Sequence, residues 1–192
     1  MRIHYRGKFN GDMDSLPKGN VMPGDTPFSE PETQGELVRA AAAWSMAACM
    51  PAAILLLVLG GGIQAVSGWG ILLAFAMALP HEFLHAVCFR QDVYIYTDLR
   101  QGMLFVTGPE SMSRRRFVFM SLLPNIVFGL VPMLIFLSDL GLTVLGTMGA
   151  VSLSMSGGDF LNVSNALRQM PPGALTHLRG FHSWWYMPED QE

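Results

Sequence analysis

The sequence predicts an all-α membrane protein: a four-transmembrane-helix bundle with a small cytoplasmic β-hairpin between spans 2 and 3. Three observations lead there. The 192 residues are 51% hydrophobic and only 14% charged, against roughly a quarter charged in ordinary soluble domains. The apolar residues gather into four runs, each near the ~20 residues that a helix needs to cross the hydrocarbon core. When these runs are threaded as four spans, all twelve Lys and Arg residues fall on one side, which the positive-inside rule makes the cytoplasm.

Residues 1–36 read as a cytoplasmic arm, polar and punctuated by Pro and Gly. It has room for short extended pieces and lacks the pattern of a cleavable signal peptide. The membrane domain covers 37–167. Its first span, 37–59, has Arg39 at the edge, where the side chain can snorkel. The second is 69–89. Residues 93–97 and 103–106 then combine β-branched and aromatic side chains around a plausible turn at 98–102, which predicts the hairpin. The third span, 117–137, contains Pro124, Asn125, Gly129 and Pro132. The fourth, 142–167, is weaker: rich in Gly and Ser and carrying Asp159, it is suited to close packing inside the bundle. Residues 168–192 form a cytoplasmic tail. Cys49 and Cys88 lie in apolar runs and read as small core hydrophobes rather than a disulfide. The net charge of -3 and the absence of a basic stripe exclude nucleic acid as a partner. The lipid bilayer is the expected surrounding, in a multi-pass protein of a bacterial cell membrane. The oligomeric state stays open.

The chemistry concentrates at His81-Glu82-Phe83-Leu84-His85, inside the second span. Histidines four apart share one helix face and can converge on one ion, and this spacing with a glutamate beside the first is a zinc-hydrolase signature. Bound zinc lowers the pKa of a water to ~7, and Glu82 is placed to take and return its proton. An ionisable group at the centre of a lipid-exposed helix costs at least ~2.5 kcal/mol, so three of them in five residues favour a metal site over a structural polar cluster.

The third ligand is not given by spacing, because Cys88 and Gln91 stand where an extended soluble motif would have Gly and His. In the four-span threading, Asp139 falls at the external end of the third span, away from the histidines. Asp159 falls at their depth, on the order of 10 Å inside the cytoplasmic boundary at 1.5 Å per residue. It is favoured over His177, His182 and Glu110 because only it is intramembrane. The alternative role for Asp159 is a helix-capping or supporting carboxylate. Pro80 is expected to kink the helix and open a groove for water. Asn125 and Asn162, also at membrane depth, are candidates for binding a substrate backbone or oxyanion, or for hydrogen bonds between helices.

These residues resemble the putative zincin peptidase domain family, which is similar to the site-2-type intramembrane metalloproteases. The resemblance rests on Pro80-His81-Glu82-Phe83-Leu84-His85-Ala86, the strand-bearing loop after it, Leu123-Pro124-Asn125, and Gly157-Gly158-Asp159. It covers roughly residues 69–167, with the arm around 16–31 also similar. It implies His81, His85 and Asp159 as zinc ligands and Glu82 as the catalytic base. The chain departs from the site-2 pattern at Asp159, which is followed by Phe160 rather than Gly.

The expected activity is therefore intramembrane zinc endopeptidase, acting on a membrane protein or peptide. The alternative is a non-proteolytic scaffold or sensor that retains the zinc site, against which an intact Glu82 counts. A metal transporter would need ligands along a path to both faces, and the external half offers only Asp139.

Overall fold

The computed structural model describes residues 2–12, 15–31, 33–98, 103–180 and 182–188. It is mixed α/β, not the all-α four-helix bundle expected: among the described residues, seven strands form two sheets beside the helices. Among the described residues three helices, not four, are long and apolar enough to cross a membrane: Gly35–Leu59, Gly68–Val87 and Arg114–Ser138. The chain divides into two compact units. One comprises Met1–Glu30, Glu82–Met120 and Val163–Glu192; the other comprises Pro31–His81 and Ser121–Asn162.

The first unit holds all the strands. Strand β1 (Ile3–Lys8) runs parallel to β3 (Val93–Asp98), with Ile3 opposite Val93 and Lys8 opposite Thr97. β3 pairs antiparallel with β4 (Met103–Thr107), Ile95 opposite Val106. The expected hairpin strands are thus present but extended by the N-terminal arm. Most of its expected turn, residues 99–102, lies outside the described residues. The second sheet is antiparallel in the order β2 (Thr26–Pro27), β7 (His182–Tyr186), β6 (Leu175–Arg179), β5 (Met112–Ser113). The arm, expected to be irregular with room for short extended pieces, thus contributes β1 and β2, and the tail contributes β6 and β7. Both were hard to read because β1 finds its partner about 90 residues away and β2 about 160, and each strand is short. The core of this unit gathers Ala86, Phe89, Val93, Phe117, Met120, Ala166 and Met170. The ends of three helices are anchored there.

The second unit is apolar. Helix α1 (Gln34–Leu59) begins at Thr33, whose hydroxyl accepts from Glu36 N–H, and presents Met46, Met50, Ile54 and Val58 outward. Then follow α2 (Gly68–Ala76) and α3 (Ala78–Val87), the latter crossing into the first unit. Helix α4 (Arg114–Pro124) runs on through a π-helical turn, Asn125–Leu130, into α5 (Val131–Ser138). The expected fourth span is instead two helices, α6 (Thr143–Met155) and α7 (Gly157–Gln169), separated at Ser156. Thirteen residues reach about 20 Å, short of the ~30 Å hydrocarbon core. Helix α6 packs against α1, α2 and α5. Its small residues permit this: a Cβ on Gly149 would stand 2.7 Å from the Gly129 carbonyl, the close backbone approach typical of membrane helices.

Candidate metal centre

The motif helix is shaped by Pro80. The apolar segment that starts at Gly68 is interrupted at Met77, near the position where proline has no N–H to return to the carbonyl four residues back. His81 N–H does return to the Met77 carbonyl at 2.8 Å, and α3 continues through the motif. His81 and His85 consequently stand one turn apart on the same face of one unbroken helix. Glu82, beside His81, is half-buried.

Asp159 sits in the first turn of α7, where the helix dipole favours a carboxylate. The break that puts it there is buried: Ser156 is 3% exposed and its hydroxyl donates to the Ser152 carbonyl at 2.9 Å. Gly157 makes the start of α7 possible, because a Cβ there would run into the Ala41 carbonyl and the Ser45 hydroxyl of α1. From this position Asp159 Oδ2 lies 3.1 Å from His81 Nε2 and accepts from Asn125 Nδ2 at 2.9 Å. His81 and Asp159 retain 18% and 12% side-chain exposure.

His85 is buried, and its Nδ1 lies 2.9 Å from the Met120 carbonyl. A carbonyl can only accept, so Nδ1 carries a proton, and in the neutral ring Nε2 then holds the lone pair. This is the tautomer and outer hydrogen bond that a metal-ligating imidazole requires. His81 and Asp159 lie in one unit, and α3 carries His85 one turn beyond His81 on the same face, so the helix itself adds a second imidazole to the pair.

The donor set fits zinc. Two neutral imidazoles and a carboxylate leave a position for water, as in catalytic sites, and Zn–N and Zn–O distances of about 2.0–2.2 Å put neighbouring donors of a tetrahedral ion roughly 3.3 Å apart. The 3.1 Å between His81 Nε2 and Asp159 Oδ2 is close to that.

The other candidate ligands are engaged elsewhere. Glu110 pairs with Arg116 at 2.5 Å, His177 with Asp25 at 3.0 Å, and His182 Nδ1 stands 3.5 Å from Glu30. Asp139 accepts from Gly141 N–H at the end of α5. Asn162 is half-buried on α7, just under one turn beyond Asp159.

Sequence reasoning did not find the clamp behind α3. Arg116 donates to the Cys88 carbonyl, while Glu110 accepts from Arg116 and from the Arg90 and Gln91 amides. Burial opposes ionisation of Glu110, but the hydrogen bonds from Arg116 and the two amides, with the Arg116 charge, outweigh it and hold the carboxyl below its ordinary 4.5. No local pattern signals this pairing, which joins residues up to 28 apart.

The family model described as putative zincin peptidase matches residues 74–175. No curated protein and no solved structure matches the chain.

Proposed function

The chain belongs to the putative zincin peptidase family, whose description implies a metallopeptidase and zinc, and from that premise we propose that it is an intramembrane zinc endopeptidase of the site-2 type. The observation that carries the proposal is the pairing of His81 with Asp159 within a predominantly apolar unit. In this reading His81, His85 and Asp159 hold the metal. When bound, zinc supplies a Lewis acid that polarises the scissile carbonyl and makes a water nucleophilic near neutral pH. Glu82 takes a proton from the attacking water and delivers it to the leaving amide nitrogen, so that one peptide bond and one water become a carboxylate and an amine. The substrate is a membrane-embedded or membrane-proximal segment that unwinds locally, because helical backbone is internally hydrogen-bonded.

The pairing of β2 with β7 supports a topology with both ends of the chain on one side of the membrane. With three crossings before it, the α6–α7 pair is then a broken return, its interruption tolerated because it is buried in protein. The unit that includes both termini holds every Lys and Arg except Arg39, eleven of the twelve, which makes that side cytoplasmic.

The test is cleavage of a membrane peptide library by purified, zinc-loaded protein. Glu82→Gln is expected to keep zinc and to lose cleavage by about 10²-fold or more, the scale of a general base. Undiminished cleavage by that variant refutes the mechanism. Zinc binding without cleavage of any membrane segment by the wild type favours a scaffold or sensor.

A further inference from the structure

Asn125 is 4% exposed and opens the π-helical turn that follows Pro124. Its side-chain NH2 group makes two hydrogen bonds of 2.9 Å, one to the Ser121 carbonyl a turn earlier and one to Asp159 Oδ2. The end of the amide that faces a carboxylate must be the donor, which fixes the orientation of the group. The consequence is visible at the other end: Asn125 Oδ1 is buried with no hydrogen-bond partner. A buried acceptor without a partner is unfavourable, and an apolar residue of similar size would avoid it. The arrangement is accounted for if the NH2 group serves Asp159. A π-helical turn, which is less favourable than α-helix and recurs at functional sites, begins at the same residue.

We propose that Asn125 is a positioning residue of the metal centre, holding the Asp159 carboxylate in the orientation in which it meets His81. The proposal rests on the reading of Asp159 as a ligand. It gives Asn125 a role different from substrate binding, because its donor is engaged within the protein. The hydrogen bond to Ser121 holds the amide plane, and the bond to Asp159 Oδ2 limits rotation of the carboxylate about its last torsion. In the absence of metal the same bond keeps Asp159 beside the imidazole. Partners of this kind typically contribute 10- to 100-fold to metal affinity.

The experiment is a double-mutant cycle read as zinc affinity, by competition with a chromophoric chelator on the purified full-length protein in detergent. Asn125→Ala is expected to weaken zinc binding about 10- to 100-fold in the wild-type background, and by less than about threefold in Asp159→Ala, where there is no carboxylate to position. Asn125→Leu, near in size and without the donor, serves as a second variant should the alanine cavity unfold the chain. An equal loss in both backgrounds overturns the inference and makes Asn125 a packing residue only. No loss in either background overturns it as well. If Asp159→Ala alone binds zinc as tightly as the wild type, the ligand reading falls and the inference falls with it, an outcome distinct from the other two.

Discussion

Gly157 and Gly158 are adjacent, identical and both in the first turn of α7, yet the same substitution should act on them in opposite directions. Intrinsic propensity favours alanine over glycine in a helix by up to about 1 kcal/mol. At Gly158 nothing lies within 4 Å of an added Cβ, so Gly158→Ala is expected to be neutral or stabilising by up to about 1 kcal/mol. At Gly157 the added carbon would collide with the Ala41 carbonyl and the Ser45 hydroxyl. A carbonyl of a regular helix cannot swing aside, so α7 must move away from α1. Overpacking of this kind costs about 1–3 kcal/mol, which exceeds the propensity gain. The displacement falls two residues from Asp159, whose contacts with His81 and Asn125 have no slack at 3.1 and 2.9 Å. A misplacement of about 1 Å costs on the order of 10²-fold in a reaction that depends on geometry. Thermal unfolding in detergent should therefore lower the midpoint for Gly157→Ala by roughly 2–4 °C per kcal/mol, with weakened zinc binding, while Gly158→Ala keeps both. Equal behaviour of the two variants would refute the steric reasoning and, with it, the placement of α7 on α1.

Other outcomes follow from the ionisable groups of the strand-bearing unit. Glu110→Ala should destabilise by about 3 kcal/mol, the lower end for breaking a buried pair, because Arg116 keeps 21% side-chain exposure; equilibrium unfolding checks it. Since the Glu110 carboxyl is held below its ordinary 4.5, its contribution is complete above about pH 4.5 and is lost as pH falls through the depressed value. A wild type and a Glu110→Gln variant whose stabilities keep a constant difference down to acid pH would contradict this. Glu30 has the opposite sign: burial raises its pKa above 4.5, against hydrogen bonds from Ser183 and the nearby His182. Its contribution is fully present below 4.5 and is lost as pH rises through the raised value. The stability of the wild type relative to Glu30→Gln should accordingly improve on acidification, as read from paired denaturation curves. Chelation should lower the thermal midpoint of the zinc-loaded wild type through the loss of ligand binding to the native state. It should leave that of His85→Ala nearly unchanged.

How much of this was legible depends on the distance over which each feature is encoded. His81, Glu82 and His85 form a local pattern, and their position in an apolar run is conspicuous because ionisable groups are costly there. The hairpin strands β3 and β4 were legible for the same reason, each being a short run of β-branched and aromatic residues next to its partner. β1 and β2 were not, because whole apolar helices separate them along the chain from their partners. The fourth apolar run was misread as one span. Average composition over 142–167 hides that after Met155 the apolar residues are interspersed with Asp159, Asn162 and Asn165. Gly157 and Gly158 preceding Asp159 carried the signal for a break.

Asp159 illustrates a different kind of legibility. Nothing in its spacing from His85 points to it, since 73 residues intervene. It was reached by matching depth, and that argument did not need the fourth run to be a continuous helix. It required only that Asp159 and the histidines be comparably far from the same membrane boundary. In the proposed topology, a broken return satisfies this as well as a full span. It also supplies what a continuous span would lack, a helix N-terminus next to the carboxylate. The broken fourth run and the candidate ligand thus come from one local fact: two glycines before an aspartate stand where one helix ends and another starts, and the carboxylate is presented by the start of the second.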